Sequence, residues 1–155
     1  MAEETKTVEE IQLVVFSLGH EEFAVEVTQV REIMRMEEIT RMPKSPSFVE
    51  GIINLRGQII AVIDLAQRLN LQSGEQTGET RIIVVEAEEL KVGMIVDSVS
   101  EVLRVSSESV EVTPTLAADV SLAYLQGVVK QDNRLIILLD LSKVLSVDEI
   151  SKLSF

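Results

Sequence analysis

A chain of 155 residues that is 46% apolar and only 3% aromatic is not a disordered segment, and Val, Ile and Leu must fill its interior. Its net charge of −12 repels phosphate backbones and anionic headgroups, which argues against nucleic acid and direct membrane contact. With no cysteine there is neither a disulfide framework nor a thiolate site, and the polar, acidic start at residues 1–6 lacks a signal-peptide pattern, so a cytoplasmic protein is expected.

The stiff β-branched side chains favour strands. The first strand is predicted over residues 13–18. It turns at Gly19-His20-Glu21-Glu22 into a second strand from Phe23. Between residues 27 and 33 the apolar spacing lengthens to every third position, which fits a helical turn between two strands as well as a continuous strand. A loop with Pro43 and Pro46 follows. Ser45 reads as an N-cap with proline at the first helical position and Gly51 as the stop. A hairpin then turns at Asn54-Leu55-Arg56-Gly57, and Asp64 caps a short helix over residues 65–69. Residues 72–80, rich in Gly, Ser, Thr and Gln, form a linker.

Beyond the linker the string begins again. Residues 51–65 match residues 127–141 without a gap at a spacing of 76, and the match reaches back to Phe48 and Tyr124. A fainter copy at a spacing of 69 pairs Phe23, Val27, Val30, Glu32 and Ile33 with Val92, Val96, Val99, Glu101 and Val102. The second half therefore carries strands over residues 82–86 and from Val92, a loop with Pro114, a second hairpin, and a helix over residues 141–145 capped by Asp140. A last helix, residues 147–153, starts at the capping box Ser146/Glu149. Gly57 and Asn133 share one turn position, and both tolerate positive φ.

Residues 59–63 and 135–139 are apolar at every position, the pattern of a strand covered on both faces. The expectation is one mainly β domain over residues 1–155, made of two small five-stranded barrels pressed together along these strands. Subdomain one would span about 11–71 and subdomain two about 80–145.

The candidates for chemistry are few. Asp64 and Asp140 could mimic the two aspartates of a bilobal protease, but such a dyad needs a polar, glycine-containing loop after each acid. Here each is followed by Leu and a short amphipathic helix, which fits an N-cap. His20, the single histidine, falls in a hairpin turn rather than beside a buried acid. No metal or cofactor is expected, since Glu86-Ala87-Glu88-Glu89 lacks the spacing of a calcium loop and Gly74–Gly78 lacks the lysine of a phosphate loop. Arg56, at a hairpin tip where the other copy has Asp132, is either a solvated turn residue or an interface arginine with Glu32 as its natural partner. Val27, Val30 and Ile33 fit a core stripe or the lining of a cleft between the barrels.

Three stretches resemble the CheW family: Phe16-Ser17-Leu18-Gly19 with Phe23, Val30-Arg31-Glu32-Ile33, and the block from Pro46 through Gly51-Ile52-Ile53-Asn54-Leu55-Arg56-Gly57 to Leu65. The segment from Val96 to Leu103 and Gly127-Val128-Val129 extend the likeness to about residue 145. The resemblance implies two SH3-like five-stranded barrels with a shared apolar interface. It also implies a non-catalytic adaptor between the cytoplasmic tips of methyl-accepting chemoreceptors and the regulatory domain of the histidine kinase CheA. By position it assigns protein contacts to Val27, Val30, Glu32, Ile33, Asn54, Leu55, Arg56, Gly57, Val96, Val99 and Leu116, with Arg56 and Glu32 as an ion pair. The sequence carries no nucleotide-binding or receiver motif, so a stand-alone adaptor at receptor arrays beneath the inner membrane is expected.

Overall fold

The computed structural model describes residues 9–87, 89–111 and 124–145; the expected helix over 147–153, Pro114 and Leu116 lie outside them. In chain order the strands are β1 Glu10–Leu18, β2 Glu21–Glu26, β3 Val30–Arg35, β4 Val49–Leu55, β5 Gln58–Asp64, β6 Arg81–Ala87, β7 Leu90–Val96, β8 Ser98–Ser106, β9 Val110–Glu111, β10 Leu125–Gln131 and β11 Arg134–Leu139. Two single-turn helices, α1 Leu65–Arg68 and α2 Leu141–Val144, follow β5 and β11. The mainly β class and both capped helices match the expectation.

The strands form two sheets, ordered β3-β6-β7-β5-β4 and β8-β1-β2-β11-β10-β9. The division at residues 11–71 and 80–145 is therefore corrected. The first barrel is built from the continuous stretch β3–β7, and the second from the β1–β2 hairpin together with β8–β11. Each repeat lends its opening hairpin to the other's barrel. The exchange is reciprocal: β2 runs parallel to β11 with Phe23 opposite Ile137, and β7 runs parallel to β5 with Val92 opposite Ala61. These two pairings are the same pairing under the repeat.

Local geometry explains the exchange. Residues 19 and 20 make a tight turn that keeps β1 on β2, with Gly19 at φ 62°. After β2, however, a 3-10 turn at Val27–Gln29 lifts the chain out of that sheet before β3 begins. Of the two readings of residues 27–33, the helical turn between two strands holds and the continuous strand does not. At the equivalent crossing in the second half, the Asp97 amide donates to the Ser17 carbonyl at 3.0 Å as the chain passes from β7 to β8.

The helix expected after Ser45 does not form. Ser45 Oγ instead donates to the Met42 carbonyl at 2.7 Å, and the segment closes a turn from the Val49 amide to the Pro46 carbonyl at 3.0 Å. So short a segment gains too few helical bonds to offset nucleation, and its last residues are taken into β4. Gly51 is not a helix stop but a bulge in the β4–β5 ladder, where a β-carbon would collide with the Thr40 carbonyl. Gly127 repeats the bulge in β10, packed against Val110 and Glu111.

The core has three parts. Leu13, Val15, Ala24, Ile136 and Leu138 fill the second barrel, while Ile53, Ile60, Val62, Ile82 and Val84 fill the first. The alternate residues of the same strands, including Val14, Phe16, Ala61, Ile63, Ile83, Val85, Ile137 and Leu139, meet in one seam between the barrels. A strand pitched between a barrel interior and the seam has no wet face over its middle, which is why residues 60–63 and 136–139 read as unbroken apolar runs.

Candidate protein-binding site

The end of the first barrel is built around the β4–β5 turn. Arg56 and Gly57 take φ values of 52° and 85°, the paired positive values of a two-residue hairpin turn whose twist matches its strands. The Asn54 carboxamide oxygen accepts from the Gly57 amide at 2.7 Å and holds the turn closed. In the second copy the positive φ falls on Asp132, at 57°, rather than on Asn133. A left-handed arginine costs about 1 kcal/mol, and here the conformation projects the guanidinium past the barrel rim, where Arg56 is 74% exposed. Its Nη2 lies 2.8 Å from a carboxylate oxygen of Glu32. Glu32 stands on β3 opposite Val84, just past a bulge, and so faces the mouth of the barrel interior. Lys91 Nζ, from β7, donates to Gln58 Oε1 at 3.3 Å beside it.

The mouth of the second barrel uses the same positions with different letters. Glu101 replaces Glu32, Arg134 replaces Gln58, Glu22 replaces Lys91 and Asp132 replaces Arg56. Arg134 grips Glu22 with two parallel bonds of 2.9 and 3.0 Å and reaches Glu101 at 2.7 Å. The hydrogen bonds it donates to Glu22, then to Glu101, hold the guanidinium above its ordinary pKa. Over these four positions the first mouth carries two cations and one carboxylate, the second one cation and three carboxylates.

The remaining residues singled out in the sequence fall in three settings. Val27, Val30 and Val99 are half-buried and pack on the seam, so they border it without being sealed in. Val96 is wholly buried within the seam core, which removes it from any contact surface. Its side chain is taken up by packing, the commoner fate of a valine at helical or strand spacing. Leu55 rests on the first barrel's core, Asn54 is exposed, and Ile33 is 41% exposed. Leu116 lies outside the described residues.

The sequence reading missed Arg134, Glu22, Lys91 and the exposed Ile59, Val102 and Leu135. The repeat held the signal, because among the described residues the four exposed large apolar side chains are two repeat pairs, Ile33 with Val102 and Ile59 with Leu135. Each lies where an apolar strand runs beyond the cover of the opposite barrel.

The aspartates sit as caps. Asp64 accepts from the Gln67 amide and from Ser73 Oγ, the latter at 2.7 Å, while Asp140 accepts from the amide and hydroxyl of Ser142 at 3.1 and 2.6 Å. His20 occupies the exposed turn. Among the described residues no group of three or more His, Asp or Glu side chains is placed to hold a metal, and no helix is long and apolar enough to cross a membrane.

Comparison with known proteins agrees across nearly the whole chain. A family model described as a CheW-like domain matches residues 12–149. A chemotaxis protein CheW of Bacillus subtilis is 39% identical over 145 residues, covering 94% of this chain and 92% of that one. A probable chemotaxis protein CheW of Rhizobium etli is 37% identical over 138 residues, with 89% of each chain covered. The crystal structure of the scaffolding protein TtCheW from Thermoanaerobacter tengcongensis superposes with a TM-score of 0.83 at 37% identity, covering 91% of this chain and 96% of that one.

Proposed function

The chain belongs to the CheW family, and on that premise we propose that it is a non-catalytic adaptor coupling methyl-accepting chemoreceptors to the histidine kinase CheA in cytoplasmic arrays beneath the inner membrane. The observation that carries this reading is the first barrel's mouth. Residues 51–57, within the glycine-to-leucine block that resembles the family, end in a turn that holds an exposed arginine against Glu32. A planar guanidinium with spare donors, backed by a rigid hairpin, is a ready docking group for a protein surface.

Two surfaces divide the work. Asn54, Leu55, Arg56, Gly57 and Glu32 at the first mouth, with Ile33 beside them, meet one partner. The half-buried Val27, Val30 and Val99 border the seam, where the tip of a receptor helix bundle lays an apolar face into a groove. No bond is made or broken. Signal passes because each contact favours one receptor–kinase arrangement over another, and modest individual interfaces are strengthened by their number in an array.

Co-sedimentation of the chain with a receptor cytoplasmic fragment, with and without CheA, tests this. Arg56→Glu is expected to leave the melting temperature within about 2 °C of the parent, as befits an exposed pair worth under about 1 kcal/mol, while cutting recovery with receptor or kinase at least fivefold. Equal recovery of the variant would remove the first mouth from the interface, and no recovery of the parent chain in either mixture would sink the adaptor reading.

A further inference from the structure

Among the described residues the seam holds one buried cation. Arg68, at the end of α1, is 7% exposed amid Val, Leu and Ile side chains. Its guanidinium carbon lies 4.6 Å from the centre of the Phe48 ring and 5.1 Å from that of Tyr124, and its Nε donates to the Val144 carbonyl at 2.8 Å. Phe48 and Tyr124 are counterparts at the 76-residue spacing, and so are Arg68 and Val144. The arginine therefore reaches across the axis that relates the two repeats. It bonds the backbone of the residue that holds its own place in the other copy, between one aromatic ring from each side. Phe48 and α1 belong to the first barrel, Tyr124 and α2 to the second.

Valine fills this position in the second repeat, so packing alone did not demand a charge. Burying a guanidinium carries a desolvation penalty that its partners must offset, and an apolar replacement of similar volume is often neutral for stability. What the arginine adds is direction. Apolar contact is non-directional, and a seam of aliphatic side chains tolerates small rotations of one barrel on the other. A hydrogen bond to a fixed carbonyl and two ring faces tolerates far less. We infer that Arg68 is a positioning residue that locks the angle between the two barrels, and with it the width of the seam that Val27, Val30 and Val99 border. The inference concerns the geometry of the free chain and holds whichever partners bind.

The absence of native cysteine makes a direct measurement simple. Arg35→Cys and Arg104→Cys, both exposed and equivalent under the repeat, put one spin label on each barrel. Pulsed electron resonance on the full chain then reads the spread of inter-barrel distances. Arg68→Met, which keeps the length of the side chain, is expected at least to double the width of that distribution, with each barrel's amide protection unchanged; Arg68→Lys should fall between. A width equal to the parent's in folded Arg68→Met overturns the inference. If Arg68→Met does not fold, Tyr124→Leu is read in its place: broadening supports the lock and an unchanged width overturns it.

Discussion

The two barrel mouths occupy equivalent places in a repeated sequence, yet they are finished differently. Arg134 is 34% exposed and closes the second mouth with three bonds to two carboxylates from β2 and β8. Arg56 is 74% exposed and touches one carboxylate from the tip of a turn. The first arrangement ties three strands of one barrel together and leaves little to offer outward. The second leaves most of a guanidinium unspent. The contrast teaches that a repeat conserves the positions where polar groups must seal a barrel, while the letters at those positions decide whether the seal is spent on the fold or held out to another molecule. The exchange of hairpins makes this possible, because each mouth draws residues from both repeats and the two can diverge independently.

Below the mouths the barrels should be indistinguishable, and the largest effect tests that. Ile60→Asp and its counterpart Ile136→Asp each put an unpaired charge into a barrel interior where the parent residue is at most 2% exposed. Each is expected to cost several kcal/mol and leave no cooperative urea transition by circular dichroism. If one variant stayed folded, the barrels would not be equal in their dependence on the core. At the mouths the comparison should break. Arg134→Met removes a bidentate pair and leaves Glu22 facing Glu101, for an expected loss of about 1–2 kcal/mol after solvent screening, or about 2–8 °C in melting temperature. Arg56→Met should move the melt by less than about 2 °C. Equal shifts from the two would erase the distinction between a structural and an exposed arginine.

Much of the fold was legible because two copies constrain each other. The unbroken apolar runs at residues 59–63 and 135–139 announced strands buried on both sides, which holds from Ile60 and Ile136 onward but not for the exposed Ile59 and Leu135, and Asp64 and Asp140 announced caps from the short amphipathic segments behind them. Which strands share a barrel was not legible. Pairing β2 with β5 or with β11 buries equivalent residues, so the hydrophobic pattern is indifferent to the exchange, which is seen only where the chain leaves one sheet for the other at Val27–Gln29 and at Asp97. Gly51 was read as a helix stop because glycine serves both stops and bulges; the collision with Thr40 that requires it comes from a segment 11 residues away. At the site, Arg56 and Glu32 met as the family resemblance implied, whereas Val96 was lost to the core because its spacing is the same whether it lines a cleft or fills one. Arg134 passed unnoticed since its two acids lie 112 and 33 residues away in sequence.

The smallest expected effect is the sharpest test of what distinguishes the mouths. Asp132 already holds the left-handed conformation that Arg56 adopts, so Asp132→Arg places a guanidinium at the second tip on the same backbone. Its effect on stability should stay within about 1 kcal/mol, the cost of an arginine in the left-handed region. If an exposed arginine were sufficient for docking, the variant would gain a second site and recover more receptor or kinase in co-sedimentation. No gain is expected. Glu101, the acid equivalent to Glu32, is already held by Arg134, and the new arginine would rise from a mouth that still carries two carboxylates rather than beside Lys91 and Gln58. A doubled recovery would show that the tip residue alone makes the site, and would move the difference between the mouths from their whole polar clusters to one position.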